Sequence, residues 1–213
     1  MYAITFLLLS CFHQTSNLEK TSGDYFGQLK NVKHHLKESE SEEFGTLLHQ
    51  YFLDVVFLNW AGTEWDYNGY SNTPKKGYIA CGYFVSTSLK HLGFNLNRYD
   101  MAKLYSKDIV FSFCGNQSRS IESKEQLKQA IKQIPNGLYI LGLSNHVGFL
   151  SKTDSATSFI HSDYISGFVT SEVWYDSQAI NVSSTYWLGP VSTRKDIQNT
   201  YKFRTEIKAL KSQ

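Results

Sequence analysis

The spacing of apolar residues changes character near residue 135. Before it, apolar positions in several stretches recur every three or four residues, which is the period of amphipathic helices. After it, short runs of β-branched and aromatic residues alternate with turn residues, which is typical of antiparallel strands. The pattern predicts an α+β protein with N-terminal helices packed on an antiparallel β-sheet.

The best-marked helices cover residues 43–59, residues 81–91 with Gly93 as a C-cap, and residues 123–134, which begin with a Ser-x-x-Gln capping box. Residues 60–79 are rich in Gly, Asn, Thr and aromatic residues, and we expect a loop with turns there. Consecutive antiparallel strands are predicted at 138–144, 146–152, 157–163, 167–175 and 185–191.

The chain begins with an apolar run, Ala3–Leu9, that ends at Ser10 and Cys11. The letters "LLSC" resemble a bacterial lipoprotein signal, in which a small residue precedes the cysteine that receives the lipid. The resemblance implies that residues 1–11 are a processed signal and that Cys11 is a lipid anchor. A buried first strand or a wrongly assigned start codon is the alternative.

Composition and charge narrow the classes of function. Hydrophobic residues make up 41% of the chain and aromatic residues 15%, which is enough for a sizeable core. The formal net charge of +2 gives no reason to expect nucleic acid as a partner. No run of about 18 apolar residues predicts a membrane-spanning helix, so membrane contact is expected only through a lipid on Cys11. Residues 12–42 are polar and charged, which favours a tether or loose helix ahead of a folded domain at 43–213.

Cys81 is the candidate nucleophile. It begins the helix predicted over residues 81–91, where backbone N–H groups and the helix dipole favour an anion and lower a thiol pKa. Thiolate catalysis also needs an imidazole, and His146 and His161 lie on neighbouring predicted strands. One imidazole would then orient the other, as the third member of a catalytic triad does. The alternative is a small core cysteine with two satisfied core histidines.

A loop segment ahead of this cysteine is the candidate substrate-binding surface. Trp65, Asp66 and Tyr67 precede Cys81 in the predicted loop, and we expect them to line its cleft. Aromatic walls with one carboxylate suit a peptide or glycan-peptide substrate. The alternative is a turn that packs its aromatic rings on the core.

A zinc site is another possible use of the same side chains. Cys81, Cys114, His146 and His161 are potential ligands, but no C-x-x-C or H-E-x-x-H spacing supports them. Cys114 has no histidine motif beside it, and we interpret it as structural. No glycine-rich phosphate loop is present, so the sequence predicts neither a metal nor a cofactor.

Two stretches resemble the NlpC-type papain-like cysteine peptidases. "IACGYFVSTSLKHLGFNLNR" is similar to the helix that carries the nucleophile in that family, and "NHVGFL" followed by "FIHS" is similar to its two histidine strands. The resemblance covers about residues 60–165. It implies a papain-like fold in which Cys81 is the nucleophile, His146 the general base and acid, and His161 the orienting group.

Three features depart from that family. Ala80 stands where the family usually has an acid before its cysteine. "WAGTEWDYNGY" replaces the family's Y-x-W/Y-G-G element, and the span from Cys81 to His146 holds the additional helix predicted over 123–134. A broader amidase or a transglutaminase-like relative is therefore an alternative to a peptidoglycan endopeptidase.

The resemblance implies thiol-dependent hydrolysis of an amide bond in a peptide, with a fragment of cell-wall peptidoglycan as the substrate. Residues 43–213 would form the papain-like catalytic domain, exported and lipid-anchored at the envelope of a bacterium. A catalytically inactive papain-fold domain that binds a cell-surface glycan or peptide is the first alternative. An intracellular protein that keeps its N-terminus is the second.

Overall fold

The structure, a computed structural model, describes residues 24–211, which form an α+β fold of helices and a six-stranded antiparallel sheet. The predicted signal at 1–11 and the predicted lipid anchor at Cys11 lie outside these residues. Within residues 24–211, no helix has the length and apolar character needed to cross a membrane.

The helices lie mostly ahead of the sheet in the chain, as the apolar spacing predicted. A π-helical stretch, Phe52–Phe57, joins the second helix to the third. The helices are α1 (Tyr25–Glu38), α2 (Ser41–Tyr51), α3 (Leu58–Trp60), α4 (Cys81–Leu92), α5 (Arg98–Ala102), α6 (Ser106–Cys114), α7 (Lys124–Gln133), α8 (Gln178–Asn181) and α9 (Ile197–Lys202).

Helix α1 corrects the predicted domain boundary at residue 43. Tyr25, Leu29, Val32 and Leu36 form one buried stripe of α1 that belongs to the main core. The charged residues that make this segment resemble a tether lie on the opposite, exposed face of the helix. The folded unit therefore reaches back to residue 24, and the segment within 12–42 that the structure describes is a packed helix.

The sheet has the strand order β1-β6-β2-β3-β4-β5. Its strands are β1 (Arg119–Ile121), β2 (Gly137–Leu143), β3 (Val147–Lys152), β4 (Thr157–Asp163), β5 (Phe168–Val173) and β6 (Tyr186–Pro190). The predicted succession of neighbours is right for β2 to β5 and wrong for the last strand. Because α8 carries the chain back after β5, β6 pairs with the free edge of β2, with Leu188 opposite Leu141.

Both faces of the sheet are covered at its centre, since residues along β2, β3 and β4 divide between two hydrophobic clusters. The main cluster packs under α1 to α6 and α9, and a smaller one packs under α7. Leu138, Ile140, Phe149 and Ile160 belong to the main cluster, and Tyr139, Leu141, Leu150 and Phe159 belong to the smaller one.

Two helix-end signals read from the sequence are confirmed. Gly93 ends α4 with a positive φ of 117°, a conformation that glycine adopts without a Cβ penalty. At the start of α7, the Ser123 hydroxyl accepts the Gln126 N–H at 3.2 Å, and the Gln126 side chain accepts the Glu122 N–H at 3.0 Å. These caps set where the two helices begin and end, because they satisfy N–H and C=O groups that the helices leave unpaired.

Candidate active site

The fold brings the three predicted catalytic residues together. Cys81 and His146 both line one cleft of about 910 Å³, and His161 lies directly behind His146, fully buried. Their elements meet because α4 packs across β3 and β4, which places the first turn of the helix beside the start of β3.

Cys81 is held at the first position of α4. Ala80 precedes it in an extended conformation, and the Ala80 N–H donates to the Gly69 carbonyl at 2.8 Å. Gly82 follows it, and a Cβ there would lie 2.5 Å from the carbonyl oxygen of Ala102. The glycine therefore allows the end of α5 to pack against the first turn of α4, which forms one wall of the cleft.

The two histidines form a hydrogen-bonded pair. His146 lies directly before β3, and its Nε2 is 2.7 Å from Nδ1 of His161 on β4. Phe159 stacks on His161 with ring centroids 4.3 Å apart, which holds the plane of the imidazole. His146 uses Nε2 for this bond, so Nδ1 is the ring nitrogen left to exchange a proton with a thiol.

Glu172 extends the pair to a chain of three groups, and sequence reasoning missed it. Its Oε1 lies 3.0 Å from Nε2 of His161. Glu172 is on β5 opposite Phe159, and Thr170 is opposite His161, so Glu172 is the diagonal neighbour of His161 on the same face. The available signal was an acidic residue at alternate spacing in the strand after "FIHS".

When both imidazoles are neutral, Glu172 determines which of their nitrogens carry protons. A carboxylate only accepts hydrogen bonds, so Nε2 of His161 donates to Glu172. Nδ1 of the neutral His161 ring is then an acceptor, and it accepts from Nε2 of His146. The same rule leaves Nδ1 of His146 without a proton, which is the form that can take one from Cys81.

At Cys81, burial has a larger effect on the thiol pKa than the N–H groups at the start of the helix. Burial raises the pKa of the Cys81 thiol, and the N–H groups of Val147, Gly82 and Cys81 itself act against that rise. Burial lowers the pKa of His146 to about 3; a proton on His161 would act in the same direction, and Asp163 acts in the opposite one. At pH 7 the free protein therefore holds a neutral thiol and a neutral imidazole, whereas the sequence predicted a thiol pKa lowered by the helix.

Trp65 and Tyr67 line the cleft as predicted, and Asp66 does not. Asp66 instead stabilises the turn that it begins, because its Oδ1 accepts the N–H of Asn68 at 2.8 Å. Tyr164 supplies a further wall residue: its ring centroid lies 6.3 Å from that of Trp65 and 5.4 Å from that of His146. The described lining thus contains several aromatic side chains and lacks the carboxylate that the sequence predicted there.

The other candidate thiol and imidazole serve the core. Cys114 is buried and donates through Sγ to the Pro190 carbonyl at 3.3 Å, and both it and Cys81 are free cysteines. His91 is hydrogen-bonded to Tyr25 at 2.9 Å, and burial lowers its pKa to about 4.

The described residues hold no group of three or more His, Cys, Asp or Glu side chains arranged for a metal ion. The hypothetical zinc site needs Cys114 as a ligand beside Cys81 and His146. Cys114 does not line the cleft that contains those two residues. No metal ligand set is therefore assigned within residues 24–211.

No protein-family model, curated protein or solved structure matches the chain. The fold and the cleft define an α+β protein with a cysteine at a helix start and a histidine pair at the adjoining strands.

Proposed function

We propose that the chain has a papain-like cysteine-peptidase fold, is a divergent relative of the NlpC-type enzymes, and hydrolyses an amide bond in a peptide. The observation that carries the proposal is the meeting of Cys81 and the His146–His161 pair at one cleft. A structural cysteine and two core histidines would not need an opening to solvent. Cys114 and His91, which do serve the core, do not line this cleft.

In the proposed reaction, the Cys81 sulfur attacks the substrate carbonyl carbon while Nδ1 of His146 takes the thiol proton. The resulting oxyanion accepts a hydrogen bond from the Cys81 backbone N–H. His146 then gives its proton to the leaving amine, and an acyl-enzyme remains. Water, activated by His146, hydrolyses the thioester and restores the thiol. Since the resting pair is neutral, the proton moves as the sulfur attacks.

In this scheme Glu172 is a positioning residue that acts through His161. Its carboxylate keeps the proton of His161 on Nε2, so that Nδ1 of His146 stays free to receive the thiol proton. It also stabilises the histidine pair when His146 becomes positively charged during the reaction, as the acid of a catalytic triad does.

The proposed natural substrate is a peptide of cell-wall origin, and the proposed place of action is the envelope of a bacterium, with a lipid on Cys11 as the anchor. The support is the "LLSC" signal pattern and the resemblance of residues 60–165 to the NlpC-type enzymes. Mass spectrometry of the native N-terminus tests the location. A diacylglycerol-modified Cys11 supports it, and an N-terminus that begins at Met1 contradicts it.

Replacement of the nucleophile tests the activity. We expect Cys81→Ala to lower the hydrolysis of peptidoglycan fragments by at least about 10³-fold, because the acyl-enzyme cannot form. Cys114→Ala is the matched control, since it removes a buried thiol outside the cleft and should leave the rate unchanged. Hydrolysis by Cys81→Ala at the wild-type rate would exclude the mechanism.

A catalytically inactive binding domain is the second candidate. The raised pKa of Cys81 and the exposed aromatic residues at the cleft favour it. It predicts that the wild-type protein and Cys81→Ala bind glycan or peptide fragments equally and that neither releases a product. Product release by the wild-type protein alone contradicts it.

A further inference from the structure

The cleft carries information about the substrate that the catalytic residues do not. We propose that it accepts a peptide whose acyl-side residue, next to the scissile amide, is apolar or aromatic and carries no positive charge. The inference rests on the proposed function, because it specifies the substrate of the same site.

The charge of the lining is the first argument. Among the described residues that line the cleft, none is Asp or Glu, and Lys103 carries the only formal charge when His146 is neutral. Ala80, beside the nucleophile, has no polar side chain, and Asp66 is engaged in its own turn. An ammonium group that enters this cleft loses hydration and gains no carboxylate partner, which costs free energy.

Lys103 strengthens the exclusion of cations because it lines the same cleft as the nucleophile, directly after the last residue of α5. It follows Ala102, whose carbonyl oxygen packs against Gly82 in the first turn of α4. A lysine or arginine of the substrate beside the scissile amide would therefore meet a like charge, and an acidic residue would meet an opposite one. The expected order of acyl-side residues is apolar first, acidic second and basic last.

The apolar rim is the second argument. Tyr67 and Tyr105 are 80% and 81% exposed, and Val182 is 67% exposed, and all three line the same cleft. Large apolar side chains gathered at one opening mark a binding surface, because their contact with water is unfavourable until a ligand covers them. In the same lining, the Tyr164 ring lies between Trp65 and His146, within 6.3 Å of the first ring and 5.4 Å of the second.

A matched substrate series tests the proposal. Four peptides differ only in the acyl-side residue, which is Phe, Gln, Glu or Lys, and carry the same fluorogenic amine as leaving group. We expect kcat/KM for the Phe peptide to exceed that for the Lys peptide by at least about tenfold. Equal values, or a preference for the Lys peptide, would overturn the proposal.

Binding to Cys81→Ala separates this inference from the proposed function. We expect Kd values of uncleaved versions of the four peptides to follow the same order. Should the wild-type protein cleave none of them while Cys81→Ala keeps that order, hydrolysis is refuted and the specificity of the cleft stands. Cleavage of all four at one rate refutes the specificity and leaves hydrolysis standing.

A charge reversal at the cleft provides the control within the chain. Lys103→Glu should raise kcat/KM for the Lys peptide relative to the Phe peptide by about tenfold, because it supplies the missing carboxylate. Lys128→Glu makes the same change at an exposed position of α7 that does not line the cleft, and should leave the ratio unchanged. An unchanged ratio in Lys103→Glu would overturn the role assigned to this residue.

Discussion

Cys81 and Cys114 are the two cysteines of the described chain, and both have a thiol pKa raised by burial. Cys81 begins α4, where three backbone N–H groups act on its sulfur and the cleft opens to solvent. Cys114 ends α6, where its thiol donates to a carbonyl in a closed core. The two thiols therefore differ in which backbone groups surround them and in what can reach them.

The comparison teaches that acidity alone does not mark the candidate nucleophile. Burial acts on both thiols in the same direction, so a search for a lowered thiol pKa would have found neither. The features that separate them are a histidine that lines the same cleft, N–H donors beside the sulfur, and an opening for a substrate. Only Cys81 combines the three among the described residues.

The largest expected effect comes from removing the proton acceptor, which makes the environment of Cys81 more like that of Cys114. His146→Ala should lower kcat by about 10³-fold, since no other imidazole of the described chain lines the cleft. Added imidazole should restore part of the activity. His91→Gln is the control, because it removes a buried imidazole that is engaged with Tyr25 and Asn72. Loss of kcat in His91→Gln equal to that in His146→Ala would contradict the assignment.

Alkylation compares the two thiols directly. With burial raising the pKa of Cys81 and the pKa of His146 at about 3, Cys81 should react slowly with iodoacetamide at pH 6. Its rate should rise about tenfold per pH unit towards alkaline pH, as the thiolate fraction grows. At pH 9 Cys81 should react about 10²-fold faster than Cys114, which is reached only by local opening.

Peptide mapping by mass spectrometry measures each cysteine separately. The Cys81→Ser variant is the control, since it leaves Cys114 as the one thiol of residues 24–211. Equal reactivity of Cys81 at pH 6 and pH 9 would indicate a preformed thiolate–imidazolium pair and contradict the neutral pair that burial favours.

The smallest expected effect comes from Glu172→Gln, which keeps the shape of the side chain and removes its charge. We expect kcat to fall about tenfold with little change in KM, because the Glu172 side chain reaches His161 and is not part of the cleft lining. Nitrogen-15 NMR of the imidazoles should report Nε2-protonated His146 and His161 in the wild-type protein and a mixture of tautomers in the variant.

Glu206→Gln is the matched control for this variant, since it neutralises an exposed carboxylate outside the cleft. It should change neither kcat nor the tautomers. A Glu172→Gln variant with wild-type tautomers and a wild-type kcat would show that the Glu172–His161 contact serves the fold alone.

Local signals were sufficient for the elements that carry the candidate site. The start of α4 at Cys81, its end at Gly93 and the strands around His146 and His161 follow from apolar spacing and turn residues, which act over a few positions. Helix α1 was missed as part of the core, because charged residues on its exposed face hide its buried stripe when composition alone is considered.

Long-range pairing was beyond the reach of those signals. The return of β6 to β2 depends on which sheet edge remains free after β2 to β5 have assembled, and no local pattern encodes that. The positions of two carboxylates, Asp66 and Glu172, were not predicted for a similar reason. Asp66 is nearer in sequence to Cys81 but closes its own turn, while Glu172 reaches His161 across two strands.

The sequence by itself determined the chemistry that is available: a cysteine at a helix start, two histidines on strands, and aromatic residues in the loop between two helices. The tertiary structure alone decided the protonation state of these groups and the position of the carboxylates around them. It buried the thiol and the imidazole, which opposes charge on both and leaves a neutral pair at pH 7. It also brought Glu172 to His161 and left the described lining of the cleft without a carboxylate, because both outcomes depend on distances between segments far apart in the chain.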